Sequence, residues 1–115
     1  MTDQPIQVNP SNSVRIFVPN FVDTNDYTAA EEQGELIFMT TGVNVLSAQA
    51  LQKKYATYFS TAEDGDLLLL SGSNLHCATA YAEWCRRFPK IRDILVYNRK
   101  WGYRLHTIVD NEAAE

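Results

Sequence analysis

Apolar residues fall into short blocks separated by polar, Gly- and Pro-bearing stretches, and each block predicts one element. Val14 to Val18 reads as a strand, because it is rich in β-branched residues. Pro19 closes it, since proline cannot donate to a ladder. A polar loop from Asn20 to about Gln33 follows. Glu35 to Met39 is an acid followed by an unbroken apolar run, the pattern of a strand buried on both faces in a parallel sheet. A helix is expected from about Ser47, its N-cap, to Phe59. Ala48, Leu51, Tyr55, Tyr58 and Phe59 share its apolar face. Asp66 to Leu70 is a third strand. A second helix runs from about Leu75 to Phe88 and stops at Pro89. Its apolar face is read as Cys77, Tyr81, Trp84, Cys85 and Phe88, with His76, Thr79, Glu83 and Arg87 on the polar side. Ile91 to Tyr97 and Gly102 to Val109 form a terminal β-hairpin across Asn98, Arg99, Lys100 and Trp101.

Two segments repeat one design. Glu35 to Asn44 and Asp66 to Asn74 each hold an acid, four apolar residues, a hydroxyl residue, a glycine and an asparagine ahead of a helix. Consecutive strand–loop–helix units imply parallel crossovers. The expected fold is α/β, a small Rossmann-like sandwich of order β-β-α-β-α-β-β. A ferredoxin-like α+β arrangement is the alternative, because the two element orders overlap. Residues 14–109 form the domain, residues 1–13 a flexible leader and residues 110–115 a frayed acidic tail.

The 115-residue length suits one domain, and a charged fraction of 21% is ordinary for a globular chain. The longest apolar runs, such as Leu67 to Leu70, stop far short of the roughly 18 residues that span a bilayer. The N-terminus lacks the positive, then apolar, pattern of a signal peptide, so a cytoplasmic location without membrane contact is expected. Cys77 and Cys85 are too few for a disulfide framework and read as small core residues.

A formal charge of −4 argues against a general nucleic-acid binder, and no DNA partner is expected. Yet seven of the ten basic residues lie between Arg86 and Arg104, interleaved with Tyr97, Trp101 and Tyr103. Cations among aromatic rings suit a phosphate ligand with stackable bases. They also suit a solvated helix end and hairpin. Ligands of open parallel sheets bind beyond the carboxyl ends of the strands. That rule selects loops carrying Asn20, Thr40, Thr41, Asn44, Ser71, Gly72, Ser73, Asn74, Asn98, Arg99 and Lys100. Hydroxyls, amides, cations and two following helix N-termini compose a phosphate site. The same residue types also make turns and caps. His76, on the polar side of the first helical turn, is the candidate acid–base group, or else a helix cap.

No P-loop or G-x-G-x-x-G occurs, and the cysteines and histidines lack zinc-site spacing. Asp23 and Asp26 are the only carboxylates in the selected loops, so neither metal nor cofactor is expected. What remains is metal-independent cleavage of an RNA-like ligand by its own 2′-hydroxyl, held in line with the phosphate.

Ser71-Gly72, Leu75-His76-Cys77, Pro89, Val96-Tyr97-Asn98-Arg99 and Gly102 together resemble the small CRISPR-associated ring nucleases. That family degrades cyclic tetra-adenylate, acts as dimers or higher assemblies, and uses a histidine and an aspartate with manganese. The resemblance covers about a third of the chain. It implies a ring nuclease that binds a cyclic oligoadenylate across the twofold axis of a homodimer. His76 stands at the family histidine. Asn98 stands where the family has its aspartate, a departure that weakens the metal reading. Arg99 and Lys100 would offset charge beside His76, and the other selected loop residues would hold phosphate and ribose. A non-catalytic cyclic-nucleotide sensor or sponge and a small RNA- or protein-binding module are the alternatives.

Overall fold

The computed structural model describes residues 14–42 and 47–110. The leader, most of the tail and the candidate ligand residue Asn44 lie outside them. The elements are β1 (Arg15–Val18), α1 (Thr28–Glu31), β2 (Glu35–Phe38), α2 (Ala48–Phe59), β3 (Leu67–Leu69), α3 (Asn74–Arg87), β4 (Ile91–Asn98) and β5 (Gly102–Val109). The fold is α/β: one mixed five-stranded sheet in the order β2-β1-β3-β4-β5. β2, β1, β3 and β4 pair in parallel, and β5 closes the sheet antiparallel to β4.

The acids that begin the apolar runs sit at the amino ends of the strands. Asp66 accepts from the Arg15 backbone N–H at 3.0 Å and pairs with its guanidinium at 3.1 Å, tying β1 to β3. Ser47 caps α2 through Ala50 N, as its position predicts. The chain moves from β1 to β2 in one direction, then crosses back over β1 to β3. The crossover helix changes face with it: α1 covers one side of the sheet, and α2 and α3 cover the other. A constant crossover hand requires that switch.

Alternate residues of each strand feed two cores. Phe17, Leu68 and Ile94 face α2 and α3, where they meet Leu51, Tyr55, Phe59 and Trp84. Phe59 and Trp84 pack edge to face with centroids 4.8 Å apart. Ile16, Val18, Leu67, Leu69 and Leu95 face the other way, toward Tyr27 and Ala30.

Three expectations need correction. The polar loop after β1 contains α1, a single turn too short to show periodicity. The buried face of α3 is His76, Thr79, Ala80, Glu83 and Trp84, while Cys77, Tyr81 and Cys85 are only half-buried. The helix packs against α2 as well as the sheet, which turns the buried face toward its neighbour. Glu83, read as a polar-side residue, is buried there and accepts from Gln52 at 3.3 Å and Arg86 at 3.2 Å. His76 is therefore a buried histidine, with 9% of its surface exposed.

Candidate functional site

The reversal between β1 and β3 is the point at which an α/β sheet of this kind opens a crevice. Asn20 and Ser71 stand at that point, but they hold each other. Asn20 N donates to Ser71 O at 3.1 Å, and Ser71 Oγ lies 3.3 Å from Asn20 O. The Ser71 hydroxyl also meets Tyr27 Oη at 2.8 Å. Thr40 Oγ1 sits 2.6 Å from Asn20 Oδ1 and 2.7 Å from Pro19 O, and Asn20 Nδ2 donates to Gly42 O at 3.1 Å. Tyr55 Oη donates to the same Pro19 carbonyl at 3.0 Å, and burial pushes its phenol up to about 12. Asn20, Thr40 and Ser71 are buried and form a latch that joins the carboxyl ends of β1, β2 and β3.

Gly72 belongs to this latch too. Its φ is +127°, and a Cβ there would meet Asn20 Cβ at 2.9 Å and His76 Cβ at 3.1 Å. The glycine permits close packing of the loop on α3. Beyond it, Ser73 and His76 form a capping box. His76 N donates to Ser73 Oγ at 3.3 Å, and Ser73 N donates to His76 Nδ1 at 3.2 Å. Accepting that bond leaves Nδ1 without a proton and puts the ring proton on Nε2. Asn74 and Thr41 are exposed. The Cys77 thiol is raised by burial, which disfavours a thiolate nucleophile.

The basic segment divides by role. Arg87 Nε donates to Phe59 O at 3.1 Å and its guanidinium also meets Ala62 O, so it serves the carboxyl end of α2. Arg92 does the same for α3 through Phe88 O at 3.1 Å and Pro89 O at 2.7 Å. Four carbonyls are thus satisfied by two cations that composition alone assigns to a ligand. At the hairpin tip, Asn98 Oδ1 accepts from Lys100 N at 2.8 Å and Trp101 N at 3.1 Å, so the side chain builds the turn. Lys100 and Arg104 stand over the exposed Trp101 ring at 5.1 and 5.6 Å.

Arg99 points elsewhere. It lines a cleft of about 610 Å³ at the carboxyl end of the sheet, between the hairpin and the loop before α1. Leu69, Leu70 and Ala29 supply apolar lining, while Ser71, Asn25 and Asp26 supply polar groups. Tyr97 and Tyr103 form an aromatic wall, with centroids 5.1 Å apart and planes at 60°. Tyr103 Oη donates to Asp26 O at 2.8 Å, and burial raises its phenol, so it stays a neutral donor. The Asp26 carboxyl is held below its ordinary range by hydrogen bonding to Thr28, and it carries its charge. A smaller cleft of about 250 Å³ lies at the opposite end of the sheet, beside Asp64, Asp66 and Asp93.

The structure therefore gathers Ser71 and Arg99 at the larger cleft. It places Asn20, Thr40, Gly72, Ser73 and His76 in the latch and cap beside it, and Lys100 and Asn98 at the tip. Tyr97, Tyr103, Asn25 and Asp26 are among the lining groups missing from the selected set. The signal for the two tyrosines was the aromatic interleaving of the basic segment, and Asp26 stood out only as a loop carboxylate. Among the described residues, no three His, Cys, Asp or Glu side chains converge as metal ligands would. No described helix is long and apolar enough to cross a membrane. Comparison with protein-family models, curated proteins and solved structures finds no match.

Proposed function

We propose that this chain binds a phosphorylated nucleotide in the 610 Å³ cleft and holds it without cutting it, cyclic oligoadenylate being the first candidate. The observation that carries this reading is the pairing of the Tyr97–Tyr103 wall with Arg99 across one cleft. A base stacks on tyrosine, a guanidinium meets phosphate in a fork, and the Ser71 edge is polar enough for ribose. The volume lies within the roughly 300–1,000 Å³ of small-molecule sites and suits one nucleotide unit per chain. Binding without cleavage follows from His76. Its Nδ1 is occupied by the Ser73 cap and its ring is buried outside the cleft lining.

Calorimetric titration with AMP, cyclic tetra-adenylate and a linear oligoadenylate tests this. Arg99→Ala should weaken binding by roughly 5- to 150-fold, the range of a lost charged hydrogen bond. Lys100→Ala and a Lys53→Ala/Lys54→Ala control should leave it unchanged. Equal losses in all three would reduce the effect to net charge. Turnover of labelled ring by the wild type, abolished in His76→Ala, would replace this reading with the ring nuclease. Lys100 and Arg104 flanking Trp101 favour a second reading, a small single-stranded RNA module. Its signature is a steep fall of affinity for linear RNA with salt that Trp101→Ala removes.

A further inference from the structure

Two opposite charges line the 610 Å³ cleft, Arg99 from the hairpin and Asp26 from the loop before α1. The rest of the lining is neutral. Among the described residues, ion pairs join Arg15 to Asp66 and Arg86 to Glu83, and none joins Asp26 to Arg99. The next cations along the hairpin, Lys100 and Arg104, stand over Trp101 and do not line the cleft. A phosphate bound there meets one guanidinium and one carboxylate.

Asp26 is held in place at two atoms. Its Oδ1 accepts from Thr28 N at 2.9 Å, and its carbonyl accepts from Tyr103 Oη at 2.8 Å, which ties the loop to the aromatic wall. The bonding to Thr28 also keeps the carboxyl below its ordinary range, so the group is charged at neutral pH. A cleft of this volume is about 10 Å across, close to the screening length of about 8–10 Å, so a charge on one wall is felt at the other.

That pairing of charges limits the kind of phosphate. A guanidinium fork presents two parallel N–H groups, which match the two free oxygens of a phosphodiester. A phosphomonoester has a third free oxygen and, at pH 8, a second negative charge. Arg99 offsets one charge, and the second meets Asp26 across the cleft. We infer that the cleft selects a singly charged phosphodiester over nucleotides that end in a phosphate, and that Asp26 is the residue that rejects the second charge. The inference rests on the nucleotide reading and deepens it, because it specifies the phosphate linkage. Stacking on Tyr97 and Tyr103 treats the same base alike in both classes, so the discrimination falls to the carboxylate.

Calorimetric titration of the full chain at pH 8, in metal-free buffer, compares AMP with its phosphate methyl ester. The ester keeps the base and the ribose and carries one charge. It should bind roughly 2- to 5-fold more tightly than AMP, the range of one exposed charge interaction, and added salt should narrow the gap. Asp26→Asn, whose amide oxygen still accepts from Thr28 N, should raise the affinity for AMP and bring the two ligands level. Asp64→Asn makes the same charge change beside the smaller cleft at the other end of the sheet and should leave the gap as it is. Arg99→Ala should weaken both ligands. AMP binding as tightly as its ester, or a gap that survives Asp26→Asn, would overturn the inference, while the Arg99 dependence keeps the nucleotide reading. A gap closed equally by Asp64→Asn would reduce the effect to net charge and overturn it too. Binding of neither ligand would overturn both readings together.

Discussion

A hydroxyl or amide in a loop reads the same whether it waits for a ligand or completes a turn, and here the carbonyls nearby decide. Pro19 O and Asn20 O end β1 inside the protein, where an unpaired acceptor costs about 1–3 kcal/mol. Thr40, Tyr55 and Ser71 satisfy them. Tyr55 is fully buried, so its behaviour at high pH is a direct readout of the latch. The unfolded chain loses the phenolic proton near 10.0, whereas the folded chain keeps it to about 12. Between those values the folded state binds more protons, so stability is intact below pH 10 and falls as pH rises. The slope from this group approaches about 1.4 kcal/mol per pH unit. Tyr55→Phe should cost about 1 kcal/mol at neutral pH and remove that part of the slope. Urea melts of both proteins from pH 9 to 11.5 check it; parallel pH dependences would place the phenol in contact with water.

Among the elements, α3 shows most plainly what pattern reading reaches. Its start was legible to within a residue, about Leu75 against Asn74, but Ser73, selected as a ligand group, is the N-cap that sets it. Its buried side was not, because a helix wheel assumes one partner and α3 has two. Packing on α2 and the sheet turns His76, Thr79 and Glu83 inward, where His76 meets Ser73 and Glu83 meets Gln52 and Arg86. The single turn of α1 was illegible for want of length, although Asp26 Oδ1, 2.9 Å from Thr28 N, is the local signal that starts it. The strands were legible to within a residue or two, since each apolar block is bounded by an acid, a proline or a glycine. The capping box yields a prediction that separates structure from chemistry at His76. Ser73→Ala should cost about 1 kcal/mol of stability. His76→Ala should cost about 1–3 kcal/mol, because it also empties buried volume. His76→Gln should recover part of that, glutamine being a natural partner at this cap position. Chemical denaturation reads all three, and none should change nucleotide affinity by more than about twofold if the cleft is the site.

The whole molecule is a sheet with unequal covers, and that inequality sets where it can bind and where it can yield. Two long helices seal one face around Phe17, Phe59 and Trp84. The other face has the one turn of α1 and its loops, which meet the hairpin at Tyr103 through Gln33 and Asp26. The cleft opens on the thin side, because only there does the cover end short of the sheet. The topology that produces this was legible from two repeated strand–loop–helix units. The thinness was not, since it depends on a loop whose sequence has no period. Leu68 and Leu69 are adjacent in the central strand, equally buried, and face opposite covers. Leu68→Ala opens a cavity between rigid aromatic neighbours that cannot close on it, so its cost should lie near the upper end of about 2–5 kcal/mol. Leu69→Ala removes support from a single turn free to settle inward, so its cost should lie near the lower end. Because Leu69 also lines the cleft, that settling should narrow it and weaken nucleotide binding, which Leu68→Ala leaves alone. Urea midpoints and calorimetric affinities for the two variants check both halves. Equal losses of stability would mean that the loop before α1 is as firm a wall as the helices.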